Sequence, residues 1–233
     1  MKLKANFHFH TREDKRHHIR YSLREGIDYA SVLGFEVLSP TCHQKVIWSK
    51  EDAEYAASKN ILLIPGIELY LQEAKESPRH ALLLNASKDA ESITTFDGLE
   101  KYRKTHTEIF VIASHPYFYG NFSVKEFLEK YIHLFDGIEH SWFYSKMFNR
   151  NKKGAGVAKK YNKPFIATSD THFFKHMNKD YTVIDAEAKT AEAIFTALRE
   201  HKFKNVTSPK KFFRGMVLPF AFFELNDLFR GRR

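Results

Sequence analysis

An α/β domain laid out as a distorted, TIM-like β/α barrel is predicted by three features of the chain. Short apolar runs alternate with helical patterns along almost all of its 233 residues, the order expected of parallel strands with helical crossovers. Imidazoles and carboxylates fall where the apolar runs end, and in a closed barrel the C-terminal ends of the strands carry the chemistry. Neither Gly-x-Gly-x-x-Gly nor a Gly-Lys-Ser/Thr phosphate loop occurs, so the doubly wound nucleotide-binding alternative lacks its usual marker.

Taken in order, residues 2–9 read as a first strand ending in Asn6-Phe7-His8-Phe9-His10-Thr11. Alternation puts His8 and His10 on one face, within reach of one ion. A charged loop leads to a helix over 22–33, with Ser22 as cap and Glu25 at capping-box spacing. A strand over 35–40 ends at His43. A second helix starts behind Ser49 and stops at Asn60. A buried strand over 61–67 ends at Glu68, and another over 80–85 opens with His80; the polar loop 72–78 lies between them. A helix over 96–105 precedes the strand 108–114, which ends at His115-Pro116. A helix over 123–131, a short strand 137–140 and a helix over 148–161 follow. The run 164–168 leads to Ser169-Asp170-Thr171-His172; a last strand over 181–185 and a last helix over 190–201 complete the pattern. Residues 1–200 are read as the barrel, and 201–233 as a basic, aromatic tail packing on it.

Composition narrows the class. With 43% hydrophobic residues, 15% aromatics and 22 Phe, there is enough apolar content for a core, which excludes disorder as the default. The formal charge of +9 favours an anionic partner. A single cysteine, Cys42, rules out an intrachain disulfide framework and fits a reducing compartment. No secretion signal is read at the N-terminus, and no apolar run approaches the roughly 20 residues that span a bilayer. A cytoplasmic protein without stable membrane insertion is expected. The run 216–223 is read as a segment docking on the domain.

The histidines and carboxylates at the strand ends form a nitrogen and oxygen donor set larger than the roughly four ligands of one tetrahedral zinc. Two or three divalent ions are implied, with zinc, manganese or iron all suited to such donors. Paired ions hold the attacking and leaving oxygens of a phosphate displacement and make bound water more acidic, so metal-assisted phosphoester hydrolysis is the chemistry expected.

His8-x-His10, Thr41-x-His43, Gly66-Ile67-Glu68, His80, Ser114-His115-Pro116 and Ser169-Asp170-Thr171-His172, in this order, resemble the polymerase and histidinol phosphatase (PHP) superfamily over about residues 1–190. The resemblance implies a seven-stranded (β/α)7 barrel with two or three metal ions at its C-terminal rim, hydrolysing phosphomonoesters or nucleic-acid phosphodiesters. Carried over by position, His8, His10, His43, Glu68, His80, His115, Asp170 and His172 are the implied ligands. Glu68 is the implied bridge between ions, and Glu68, His115 and Asp170 are the residues expected to carry catalysis. The chain departs from the pattern at two places. Cys42 stands where many members have Asp, and Asp14, His17 and His18 compete for the acid or histidine that many members carry after the His-x-His pair. Asp14 fits best, since Thr11-x-x-Asp14 followed by Tyr21-Ser22 resembles one branch of small PHP proteins.

Around this set, Cys42 is read as a small buried apolar residue. His140 either lines the pocket or faces solvent. Arg20, Lys45 and the run 149–153 are candidate phosphate clamps, and 210–214 mixes cations and aromatics as a nucleic-acid surface does. The substrate is expected to be a phosphorylated small molecule or a nucleic-acid end. Two other functions are weighed: a non-catalytic, metal-stabilised module acting through a partner, and amide or amine hydrolysis on a related barrel, which is disfavoured because no lysine sits at a strand end.

Overall fold

The structure, a computed structural model, describes residues 1–118 and 120–210. The apolar run 216–223 and all of the basic, aromatic stretch beyond Lys210 lie outside the described residues.

The first half of the chain forms β1 (Lys2–Phe9), α1 (Leu23–Val32), β2 (Val37–Pro40), α2 (Lys50–Ser58), β3 (Leu62–Leu63), β4 (Gly66–Leu71) and β5 (Arg79–Leu84). It continues with α3 (Phe96–Thr105), β6 (Phe110–Ala113), α4 (Phe127–Lys130), β7 (Gly137–His140), α5 (Asn151–Lys160), β8 (Phe165–Ala167), α6 (Phe174–Met177), β9 (Tyr181–Asp185), α7 (Ala191–Arg199) and β10 (Phe203–Val206). The helix starts follow the sequence signals. Ser22 caps α1 in a full capping box with Glu25, and Ser49, Thr95 and Thr190 each accept a backbone N–H in the first turn of α2, α3 and α7.

Strand pairing differs from the parallel barrel expected. The strands form two five-stranded sheets, β10-β9-β1-β2-β3 and β4-β5-β6-β7-β8. Each mixes orientations: β1 pairs parallel with β2 and antiparallel with β9, while β5 is antiparallel to both β4 and β6. A continuous closed seven-stranded barrel is not formed among the described residues. The expected strand 61–67 is two strands, because the chain bends at Ile64-Pro65 to pass from the first sheet to the second. The segment after residue 201 begins with β10, which pairs antiparallel with β9 and makes β9 an inner strand rather than the last one.

One apolar core lies between the sheets. Leu3, Ala5 and Phe7 of β1 share it with Leu82 and Leu84 of β5, Phe110 and Ile112 of β6, Ile166 of β8 and Ile184 of β9, and Phe195 and Leu198 of α7 join it. Two outer clusters pack α1 and α2 on the first sheet and α3, α4 and α5 on the second. Full burial of side chains such as Phe7, Phe110 and Phe195 stabilises the fold by about 1.5–3 kcal/mol each.

The sheets approach each other at two isolated parallel bridges, Phe9 with Thr171 and His43 with Glu68. Both seams lie just beyond the C-terminal ends of β1, β2 and β8, so the histidine-rich segments are brought together there by backbone pairing.

Candidate metal centre

A local irregularity in β1 aims the first two imidazoles. Phe7 packs in the core between the sheets while Phe9 packs in the outer cluster, although residues two apart on a regular strand share a face. The β1–β2 register slips between Asn6 and Phe9, and that bulge accounts for the change of face. His8 and His10 are thereby turned inward and fully buried. On β4 and β5 plain alternation suffices. Ile67, Leu69, Ala81 and Leu83 point to the outer cluster, so Glu68 and His80 point inward. Gly66 makes the seam possible: a Cβ there would lie 2.9 Å from Thr41 Cγ2, 3.0 Å from the Pro40 carbonyl oxygen and against Ser39 Oγ. His115 and Asp170, directly after β6 and β8, adopt left-handed backbone with φ of 29° and 42°, a strained conformation for non-glycine residues that is typical of functional sites.

Glu68, only 1% exposed, is the centre of the arrangement. Its Oε1 lies 3.0 Å from His80 Nδ1 and 3.2 Å from His115 Nε2. Its Oε2 lies 3.0 Å from His43 Nε2, 3.4 Å from His8 Nε2 and 3.5 Å from His10 Nε2. Asp170 forms the other pole: its Oδ1 is 3.3 Å from both His10 Nε2 and His172 Nδ1 and 3.5 Å from His8 Nε2. Two more carboxylates grip the outer nitrogens of the rings. Asp14 Oδ2 is 2.7 Å from His10 Nδ1 and 2.8 Å from His43 Nδ1, and it also accepts the His43 backbone N–H. Glu139 Oε1 is 2.8 Å from His8 Nδ1, and its carboxylate also accepts from Thr168 Oγ1 and the His115 backbone N–H.

The electrostatics follow from this packing. Burial would make Glu68 and Asp170 weaker acids, but the surrounding imidazoles overturn it and hold both carboxyls well below the usual range. Asp14 is held low in the same way, against burial, by His10 and His43. Burial opposes a charge on His8, yet Asp170, Glu68 and Glu139 raise its pKa well above the ordinary value; His43 is raised to about 9 against the same opposition, chiefly by Glu68 and Asp14. His80 and His172, where burial prevails, are lowered to about 4. The pocket is thus a knot of anionic carboxylates calling for positive charge.

Divalent ions fit this donor set. Five ring nitrogens converge on one carboxylate that has about four lone-pair positions, so hydrogen bonding alone cannot satisfy them. His8 Nε2, His10 Nε2 and both ring nitrogens of His80 are buried without a hydrogen-bond partner among the described residues. The gaps of 3.3–3.5 Å from His8 and His10 to the carboxylates are long for hydrogen bonds. They match the spacing of about 3.3 Å between neighbouring ligands on an ion bound at about 2.0–2.1 Å. Four overlapping trios meet the spacing that one ion needs: His8, His10 and Glu68; His10, Asp14 and His43; His10, Asp170 and His172; and His43, Glu68 and His80.

All nine residues singled out from the sequence border this pocket. His17, one of the two competitors of Asp14, places its ring 4.7 Å from that of His172 and 5.0 Å from that of His43, at the mouth; His18 is exposed and apart. His140 turns the other way along β7, against Tyr144, Phe165 and Asn151. Cys42 is buried beside Thr11, and burial pushes its thiol up to about 12, as suits a packing residue. Sequence reasoning missed Glu139 as a site residue, although it lies in a short apolar strand as Glu68 does. It also missed Trp142, whose indole N–H donates to Asp170 Oδ2 at 3.2 Å.

Residues 148–203 match a family described as PHP-associated. No match is found among curated proteins. Among solved structures, the chain is similar to a two-domain protein of Bacteroides vulgatus containing a predicted PHP-like metal-dependent phosphoesterase, at 20% identity and a TM-score of 0.67, over 89% of this chain and 65% of that one. It is also similar to PsfC of Pseudomonas syringae, at 14% identity and a TM-score of 0.62, over 89% and 92% of the two chains. A third likeness is to the lesion-specific endonuclease PfuEndoQ of Pyrococcus furiosus, at 13% identity and a TM-score of 0.59, over 88% and 58%. The chain therefore spans somewhat less than two thirds of the Bacteroides and Pyrococcus proteins. At these identities the likenesses concern the fold. The family match is confined to residues 148–203.

Proposed function

We propose that the chain is a metal-dependent phosphoesterase that hydrolyses a phosphomonoester or a nucleic-acid phosphodiester with water at a site of two or three divalent ions. The observation that carries this reading is the convergence of five imidazoles on the single buried carboxylate of Glu68, with Asp170 facing two of them and His172. The names of the Bacteroides and Pyrococcus structures, a phosphoesterase and an endonuclease, agree with it.

His8, His10, His43, Glu68, His80, His115, Asp170 and His172 would hold the ions, with Glu68 shared between them. Bound there, divalent ions would make water acidic enough to attack near neutral pH and would offset charge on the phosphate. Asp14, expected as a ligand, belongs to one of the four trios, and like Glu139 it would also fix imidazoles through Nδ1 so that Nε2 points into the pocket. Asp170 is 19% exposed at its side chain where Glu68 is 1%, so Asp170 is the carboxylate that water reaches and that would orient it by accepting its hydrogen bond. His115 lies where the cluster meets an aromatic pocket that includes Tyr117, Phe118, Phe143 and Phe148.

The test is a panel of p-nitrophenyl phosphate, bis-p-nitrophenyl phosphate and end-labelled oligonucleotides with manganese or zinc. Wild-type protein should turn over at least one class, and Asp170→Asn should lose roughly a hundredfold or more while remaining folded by circular dichroism. Metal-dependent thermal stabilisation without turnover at any loading would replace this reading with that of a non-catalytic module.

A further inference from the structure

Beyond β10, residues 207–210 run beside the loop that follows β7, where Trp142 stands. We infer that Lys210 is a positioning residue for the hydrolytic site, fixing the carboxylate of Asp170 through Trp142. The inference rests on the phosphoesterase reading above and extends it to a residue outside the cluster.

Lys210 opens the basic, aromatic stretch, yet it is not offered to an anionic partner. Its side chain is only 9% exposed, and its Nζ donates to Asp180 Oδ2 at 3.0 Å. Asp180 is wholly buried, and its other oxygen accepts the Ser208 backbone N–H at 3.2 Å. Among the described residues Lys210 is the one cation paired with it. A buried carboxylate stripped of its cation would be an uncompensated charge, so the pair holds residues 208–210 in one place. The Lys210 backbone N–H then donates to the Tyr144 carbonyl at 2.8 Å, which ties this segment to the loop carrying Trp142. That loop has no helix or strand of its own at Trp142, so the ring depends on its neighbours for its orientation.

Two neighbours supply it. The Lys210 ammonium lies 5.4 Å from the centre of the Trp142 ring, within reach of a cation–π attraction, and the His176 ring stacks on the indole at 5.3 Å. Held so, the indole N–H donates to Asp170 Oδ2 at 3.2 Å. The other oxygen, Oδ1, is the one that faces His8, His10 and His172 at 3.3–3.5 Å. An indole N–H donates and never accepts, so Trp142 cannot join the donor set itself. Its part is to occupy one oxygen of Asp170 and turn the other toward the imidazoles, and Lys210 keeps it there.

The experiment measures kcat and KM with p-nitrophenyl phosphate, bis-p-nitrophenyl phosphate and an end-labelled oligonucleotide in manganese. The proteins are wild type, Trp142→Phe, Lys210→Met/Asp180→Asn and the combination of all three substitutions. The paired replacement removes both buried charges together, so none is stranded, and circular dichroism checks the fold. Trp142→Phe and the paired replacement should each lower kcat about tenfold with KM within about twofold of wild type. The combination should lose no more than the larger single effect, as groups acting along one path do. A readout apart from turnover uses Trp48→Phe, which leaves Trp142 as the one indole of a chain with 2 Trp. In that background the paired replacement should raise acrylamide quenching of the fluorescence about twofold. Multiplying losses, an effect carried by KM, an unchanged kcat or unchanged quenching overturns the role of Lys210 and leaves the phosphoesterase reading intact. Turnover of none of these substrates by wild type overturns that reading and this role with it.

Discussion

Glu139 completes the hold on His8, gripping Nδ1 from behind while Nε2 points toward Glu68 and Asp170. Carboxylates in this position fix the tautomer of a ligating imidazole and raise its basicity. Glu139→Gln keeps the shape and removes the charge; metal affinity, read by chelator competition, should fall roughly 10–100-fold with the fold retained. Unchanged affinity would reduce Glu139 to a packing group. Most of the site was legible residue by residue, because a polar residue ending an apolar run stands out in a sequence. Glu139 and Trp142 were not, since what marks them is the partner across the fold: His8 lies 131 positions from Glu139, and Asp170 lies 28 from Trp142. The choice among Asp14, His17 and His18 was open for the same reason. Only the approach of β2 to the loop after β1 shows that Asp14 reaches two rings at once.

Asp136 shows how the helices are fastened to the second sheet. Its carboxylate pairs with Arg103 of α3 at 2.7 and 3.3 Å and with Arg199 of α7 at 3.3 Å, and accepts the Val111 N–H of β6. Burial alone would raise its pKa, but Arg103 first and then the Val111 N–H and Arg199 lower it. A carboxyl lowered on folding contributes stability above its unfolded pKa and loses that contribution as pH falls through the folded value. Asp136→Asn should therefore destabilise the protein by about 2–3 kcal/mol at neutral pH in urea unfolding, with the gap to wild type closing in acid below the ordinary carboxylate range. A gap independent of pH would mean that the charge is not what fastens the helices. Element types were largely readable, because caps and apolar periodicity are local. Strand direction was not: an apolar strand reads alike in parallel and antiparallel pairing, so the antiparallel β4–β5–β6 and β1–β9–β10 ladders could not be told from a barrel's parallel ones. The bulge before Phe9 was equally silent, although it turns His8 and His10 inward.

Across the whole molecule, two mixed sheets around a shared apolar core bring residues between His8 and His172 to one mouth, flanked by a basic cleft on the His43 side and an aromatic pocket on the His115 side. No described helix is long and apolar enough to cross a membrane. Because the buried carboxylates and imidazoles are incompletely satisfied by one another, ions that bind them stabilise the folded state through mass action. Saturation at about a hundredfold above Kd adds about 2.7 kcal/mol, so chelation should lower Tm by about 5–10 °C. A Tm indifferent to chelator would indicate that the pocket is complete without metal. The family likeness, the order of the candidate ligands and Lys45 as a phosphate clamp were visible in the sequence; that Lys15 and Arg16 border the same cleft was not, because they belong to another loop.

The most direct test is the metal content of protein purified without chelators, measured by elemental analysis on wild type and on Glu68→Gln. Two or three divalent ions per wild-type chain, falling by at least one in the variant, is the expected result. Less than one ion per wild-type chain after exposure to manganese and zinc, or the same content in both proteins, would contradict the assignment of this pocket as a metal centre.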